Sequence, residues 1–145
     1  METITVNRFY ERSVAGLTLV ELMVVLVIIG ITAAIATPYY ASYTRDGTRG
    51  DMLARLTNFS QAAERSFALF GLYEQGRLNN LLPDDIDLYD VAVVVDGNGF
   101  AYTVTAEATG RQLDDIDCQV LTYNNLGVRG SQDAGLNDSS AVCWP

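Results

Sequence analysis

The feature that most constrains this chain is an apolar run from Leu17 to Ala36, with the sequence LTLVELMVVLVIIGITAAIA. A helix rises 1.5 Å per residue, so a run of this length spans about 30 Å, the hydrocarbon thickness of a bilayer. The alternative is a buried core helix, but a chain of 145 residues leaves too little other protein to surround it. The run therefore predicts a membrane-spanning helix, and Glu21 is its one charged residue.

The order of segments around this run is unlike that of a secretory signal peptide, whose apolar part is discarded. Here a polar leader, residues 1–16, precedes the run and ends in the small pair Ala15-Gly16. A cut after Gly16 removes only the leader and keeps the hydrophobic helix. It also creates a new α-amino group four residues before Glu21.

A different processing site is also present, because Ala34-Ile35-Ala36 matches the small-x-small pattern of signal peptidase sites. A cut after Ala36 would release a secreted, soluble binding domain. This alternative is disfavoured because the apolar run is longer than a signal core and contains a carboxylate. The mature N-terminus, at residue 17 or at residue 37, distinguishes the two possibilities.

The helical pattern continues beyond the run but changes character. Pro38 is followed by three tyrosines, at 39, 40 and 43, which suit a membrane–water interface. Apolar residues then recur at three- and four-residue spacing, which predicts one buried stripe: Leu53, Leu56, Ala63, Phe67 and Phe70. Gly71 is the expected C-terminal cap. The pattern predicts one helix from Leu17 to about Phe70, weakened at Gly30, Pro38, Gly47 and Gly50.

The second half of the chain has strand patterns. Three strands are predicted, over 88–95, 100–108 and 118–123, and the turn sequence Asp-Gly-Asn-Gly at 96–99 joins the first two as a hairpin. The helix stripe and the inward face of the strands each need an apolar partner. We therefore expect an α+β fold in which a long N-terminal helix packs its second half on a small antiparallel sheet.

Composition excludes several function classes. The chain has no His, its nine basic residues are all Arg, and eighteen acidic residues give a net charge of -9. The commonest general base and metal ligand is thus missing, and an acidic chain is a poor nucleic-acid binder. With no nucleophile motif or phosphate loop, we expect neither an enzyme nor a cofactor, and no nucleic-acid partner.

Two acidic runs contain the carboxylate oxygens that calcium prefers as ligands: Asp84, Asp85, Asp87 and Asp90, and then Asp114, Asp115 and Asp117. Neither matches the EF-hand loop, which needs Gly at its sixth position and Glu at its twelfth. We expect solvated acidic loops and no metal site.

The two cysteines, Cys118 and Cys143, lie near the C-terminus. An even number of cysteines in an exported protein favours a disulfide. The tail from Gly130 is rich in Gly, Ser, Asn and Asp, and Cys143 is the residue placed to hold it. We therefore predict a bridge between the two.

The stretch G-LTLVELMVVLVIIGITAAIATPYY closely resembles the start of a type IV prepilin. The likeness continues with less specificity into ARLTNFSQAAERSFALFGLYEQG and into the terminal CWP. The layout most resembles the short minor pilins of the PilE kind, with type II secretion pseudopilins as close relatives. The resemblance implies a structural subunit of a type IV pilus that supports pilus biogenesis, adhesion or twitching motility. A pseudopilin of a secretion apparatus is the alternative.

The resemblance also implies roles for single residues. Gly16 would be recognised by a prepilin peptidase, which would cut before Leu17 and methylate the new amine there. Glu21 would pair with the terminal amine of a neighbouring subunit during assembly. Gly30 and Pro38 would bound a helix segment that loosens in the filament, and Cys118 and Cys143 would close the C-terminal loop.

The expected organisation is a leader at 1–16, a membrane and filament-core helix at 17–44, and a periplasmic head at 45–145. The leader would face the cytoplasm, and the single-pass subunit would move from the inner membrane into an extracellular pilus. The implied partners are the prepilin peptidase, other pilin subunits, inner-membrane lipid and the pilus assembly platform.

Overall fold

The computed structural model describes residue 16, residues 18–83 and residues 88–144. Its dominant element is helix α1, Leu19–Phe70, whose 52 residues confirm one long helix. The helix continues through Gly30 and Pro38. It ends as predicted at Gly71, which has a φ of 76° and donates its N–H to the Phe67 carbonyl at 2.7 Å.

The chain divides into two compact units, Met1–Tyr39 and Tyr40–Pro145. In the first unit every described residue is exposed. Helix α1 is the one helix among the described residues that is long and apolar enough to cross a membrane. The second unit contains all of the buried residues.

The second unit contains a four-stranded antiparallel sheet in the order β1-β2-β3-β4. Its strands are β1 (Tyr89–Val95), β2 (Tyr102–Ala108), β3 (Val120–Asn124) and β4 (Arg129–Gln132). The first three strands confirm the sequence patterns within two residues at each end. Three short elements complete the unit: helix α2 (Gln75–Asn79), a 3₁₀ helix (Gly110–Asp114) and helix α3 (Ser140–Cys143).

The predicted hairpin turn between β1 and β2 is present. The Asp96 carboxylate accepts the N–H groups of Phe100 at 2.8 Å and Ala101 at 3.1 Å. Gly99 has a φ of 72°, and a Cβ at this position would lie 2.9 Å from the Tyr73 carbonyl oxygen. Only glycine therefore fits at this point, where the turn meets the chain that leaves α1.

The core forms where the α1 stripe meets the inner face of the sheet. From α1 it takes Met52, Leu53, Leu56, Phe59 and Ala63, and from the sheet Tyr89, Val93, Tyr102, Val104, Ala106 and Leu121. The prediction that Phe70 belongs to the buried stripe is wrong, because its side chain is 55% exposed. The guanidinium of Arg77 covers its ring instead, 3.6 Å from the centroid.

The predicted disulfide between Cys118 and Cys143 is present, with the Cα atoms 5.7 Å apart. The bridge is not the only contact that holds the tail. The Trp144 indole N–H donates to the Gly130 carbonyl at 2.8 Å, and the Ser140 hydroxyl accepts the Ser131 N–H at 2.8 Å. The tail is thus fixed to β4. This strand was not predicted, because its own sequence is polar and has no strand pattern.

Candidate functional site

The first candidate site is the start of α1. Thr18 precedes the helix, and its hydroxyl oxygen accepts the Glu21 backbone N–H at 3.2 Å. Thr18 is therefore the N-cap, and Glu21 at the third helical position completes the Thr-x-x-Glu sequence that is typical of a capping box. The signal for this cap in the sequence is the three-residue spacing of Thr18 and Glu21.

The capping geometry places the Glu21 carboxylate in the first turn of α1, where it interacts favourably with the positive end of the helix dipole. The side chain is exposed. Glu21 can therefore stabilise the helix N-terminus and still be accessible to a partner. Gly16 is also exposed, whereas Leu17, the expected methylation site, lies outside the described residues.

The apolar part of α1 has no partner within the described chain. Its large side chains from Leu19 to Ile35 are between 48% and 75% exposed. A Cβ added at Gly30 would meet no atom within 4 Å. Pro38 has no N–H to donate within the helix. At the preceding residue, the Thr37 hydroxyl donates to the Ala33 carbonyl at 2.8 Å. An apolar surface of this extent requires lipid or other helices around it.

A second site joins α1 to the 3₁₀ region of the head. Arg49 donates to both carboxylate oxygens of Asp115, at 2.8 and 2.7 Å. Gln112 donates to the same carboxylate at 3.1 Å and to the Arg45 carbonyl at 3.2 Å. Both Arg49 contacts to Asp115 come from one nitrogen, Nη1, and these charge-assisted hydrogen bonds pin the loop after β2 onto α1.

The buried charge affects a neighbouring tyrosine. Burial, and next the negative charge of Asp115, raise the pKa of Tyr89 to about 12. Among the described residues its buried hydroxyl has no hydrogen-bond partner, although the nearby Gln112 side chain opposes part of the rise in pKa. Tyr89 therefore contributes to the core through its ring, and its hydroxyl stays protonated at neutral pH.

The expectation of solvated acidic loops is wrong for Asp115, which is buried in this ion pair. It holds for Asp114 and Asp117, which are exposed, whereas Asp90 is exposed but lies in strand β1 rather than in a loop. Asp84, Asp85 and Asp87 lie outside the described residues. Within the described part of the chain, no group of three or more acidic or cysteine side chains is arranged to hold a metal ion.

Comparisons with known proteins agree with this geometry. A family model described as "Type IV minor pilin ComP, DNA uptake sequence receptor" matches residues 38–122, and the model of the prokaryotic N-terminal methylation motif matches residues 12–37. Fimbrial protein Q of Moraxella bovis is 30% identical over 142 residues, which cover 89% of this chain and 90% of that protein. A type IV pilin structure from Shewanella oneidensis has 27% identity and a TM-score of 0.51, covering 59% of this chain and 89% of that one.

A long N-terminal apolar helix, a small antiparallel sheet and a disulfide-closed C-terminal loop define the class of type IV pilins. Within that class, the chain belongs to the type IV minor pilin ComP family, whose model matches residues 38–122. The match to Fimbrial protein Q extends over both units and includes the apolar helix.

Proposed function

We propose that this chain is a type IV minor pilin made as a precursor. It is cut after Gly16, methylated at Leu17, held in the inner membrane by residues 17–44, and then assembled into a pilus. The observation that carries the proposal is the methylation motif, which extends into a helix whose described apolar surface is exposed and contains one carboxylate. In lipid this surface faces acyl chains, and in a filament it faces the same surface of neighbouring subunits.

The proposal that Gly16 is read by an enzyme is supported by its surroundings. Gly16 is exposed, and an added Cβ would meet no described atom within 4 Å. No described contact therefore requires glycine at this position. A prepilin peptidase that must approach the backbone closely would require it. Gly16→Leu should leave the leader attached while the head folds normally.

The proposal that Glu21 directs assembly has to be separated from its capping role. Cleavage would create an α-amino group at Leu17, and an unpaired charge in an apolar setting is costly. Pairing of that amine with the Glu21 carboxylate of a neighbour would favour one stagger between subunits. Capping, in contrast, acts within one subunit and needs no charge, because glutamine serves equally well in a capping box.

Two substitutions distinguish these roles. Glu21→Gln keeps the capping chemistry and removes the charge, whereas Glu21→Ala removes both. Each variant is expressed in cells that lack the wild-type copy, and processing and incorporation into sheared pili are measured. We expect both variants to be processed, and both to be incorporated poorly. If glutamine assembled normally and only alanine failed, Glu21 would act as a cap and not as an assembly charge.

The pilus role is favoured over a secretion apparatus because the matched relatives are described as a minor pilin, a fimbrial protein and a type IV pilin. Support of adhesion or twitching motility would follow from incorporation into the pilus. Mass analysis of the protein from membranes should find a chain that begins at Leu17 with one added methyl group. A chain that begins at Thr37 would instead identify the secreted, soluble alternative.

The family model is named for a DNA uptake sequence receptor, so contact with DNA is a second candidate function. The charge of this chain opposes direct binding of a duplex. From Tyr40 onward there are seven arginines and fifteen acidic residues, and three of those arginines are paired with carboxylates. Phosphate contacts need clustered cations. We propose that any role in DNA uptake is exerted through the pilus. A mobility-shift assay of the full-length protein in detergent tests this, and we expect no shift of a DNA duplex.

A further inference from the structure

The second compact unit, Tyr40–Pro145, contains a cavity of about 350 Å³ between the start of its helical segment and the 3₁₀ helix. Its volume lies within the range of small-ligand pockets. The helix contributes Tyr40, Ala41, Thr44, Arg45 and Thr48, and the facing wall contributes Leu88, Arg111, Gln112 and Asp114. The lining therefore combines apolar and aromatic side chains with polar groups and two guanidiniums.

The charge of this wall is opposite to that of the protein. Arg45 and Arg111 contribute two positive charges and Asp114 one negative charge, in a chain whose net charge is -9. Among the described residues, neither arginine has a carboxylate within ion-pair distance. Arg49, in contrast, is fully engaged with Asp115 and Asp46. Two guanidiniums without a described ion pair are suited to share the two non-bridging oxygens of one phosphodiester, to which their N–H groups donate.

The position of the cavity in the sequence indicates the source of that phosphate. Tyr40 follows Ala36, the last residue of the apolar run, by four residues, which is about 6 Å of helix. Headgroup layers extend about 5–8 Å beyond the hydrocarbon on each side. Tyr40, which is exposed, is thus an interfacial residue, and the cavity that it lines opens at headgroup depth. The long stem of Arg45 lets its guanidinium reach toward the same layer.

We propose that this cavity binds the phosphodiester headgroup of an anionic membrane phospholipid while the subunit is still in the membrane. Arg45 and Arg111 hold the phosphate, and Tyr40 and Leu88 contact the glycerol and acyl end. The one net positive charge of the wall is neutralised by a headgroup with one net negative charge. The inference rests on the proposed membrane anchorage of residues 17–44 and extends it to the head.

The test uses the full-length protein purified in detergent with an equimolar mixture of phosphatidylglycerol and phosphatidylethanolamine. Native mass spectrometry measures the lipid that each protein retains. Arg111→Gln and Arg45→Gln/Arg111→Gln remove the guanidiniums. Arg65→Gln is the matched control, because Arg65 is exposed, lines none of the described cavities and has no ion pair among the described residues. Arg111 is also exposed, so its replacement leaves the fold intact.

Wild type and Arg65→Gln should retain phosphatidylglycerol in preference to phosphatidylethanolamine. Retention should fall about tenfold for each guanidinium removed, the usual value of one charge-assisted hydrogen bond. Equal retention by all variants would overturn the proposal, as would displacement of the lipid by millimolar inorganic phosphate, which would identify a general anion site. Displacement by duplex DNA that depends on Arg111 would identify a nucleic-acid contact instead. Failure of the wild-type protein to retain phosphatidylglycerol, while it still co-fractionates with membranes, would overturn this inference alone and leave the anchor unaffected.

Discussion

The ion pair between Arg49 and Asp115 provides the sharpest test of how the head is held on its helix. The side chains are only 20% and 10% exposed, and both Arg–carboxylate contacts are short, at 2.7 and 2.8 Å. Removal of one partner of a buried pair costs about 3–5 kcal/mol because the other charge stays buried. Arg49 keeps a second, exposed partner in Asp46 at 3.0 Å, which reduces this cost. We expect Asp115→Ala to lower the free energy of unfolding by about 2–3 kcal/mol.

The matched control is an exposed pair on the same helix. Arg55 and Asp51 are 40% and 57% exposed and lie 3.0 Å apart. Exposed pairs contribute little, so Asp51→Ala should cost at most about 0.5 kcal/mol. The combination of Arg49→Met with Asp115→Ala should cost less than the sum of the single changes, by about 1–3 kcal/mol.

The assay is urea unfolding of the full-length protein in detergent, followed by the fluorescence of Trp144. This is the only tryptophan of the chain, and it packs against Tyr123 in the head. Linear extrapolation gives the free energy of unfolding of each variant. If Asp115→Ala cost no more than Asp51→Ala, the pair would not hold the loop on the helix, and the argument from burial would be refuted.

Four further outcomes are expected. Removal of residues 1–44 should give a soluble monomer with an unchanged near-UV circular dichroism spectrum, whereas an insoluble fragment would place the boundary between anchor and head elsewhere. Tyr89→Phe should leave the free energy of unfolding within about 0.5 kcal/mol of wild type, because its hydroxyl has no hydrogen-bond partner among the described residues. Tyr102→Phe, which loses a buried 3.0 Å hydrogen bond to Ser60, should cost about 1 kcal/mol in the same urea assay. Because the pKa of Tyr89 is raised, the stability contributed by its protonated hydroxyl is fully present below pH 10, the ordinary tyrosine value, and is lost as pH rises toward 12. Alkaline unfolding monitored by tyrosinate absorbance would show this loss. Cys118→Ser should lower head stability by about 2–4 kcal/mol, and thiol labelling of the unfolded, non-reduced wild type should find no free thiol.

The substitutions at Glu21 and at the Arg45–Arg111 cavity probe two stages of one proposed pathway. Glu21 would act when subunits meet in the filament, and the cavity would act while a single subunit still lies in the bilayer. A variant that retains no lipid but assembles normally would show that the two stages are independent.

Local patterns in the sequence were sufficient for the main elements. The apolar run, its change to a one-sided stripe, and the glycine at 71 predict α1 because periodicity and capping act over one or two turns. The turn at 96–99 predicts the hairpin for the same reason, because its backbone conformation is set by the residues within it. The disulfide was predictable because only two cysteines are available.

The tertiary structure alone decided which polar groups meet. Arg49 and Asp115 are 66 residues apart, and nothing in a run of aspartates distinguishes the one that becomes buried from its solvated neighbours. Strand β4 is polar and short, so its pairing with β3 depends on the side chains of the tail rather than on any strand pattern of its own. Phe70 fits the helical stripe by spacing but lies beyond the sheet that covers the stripe. A stripe predicts which face of a helix can be buried, whereas the extent of the partner surface determines which residues on that face are buried.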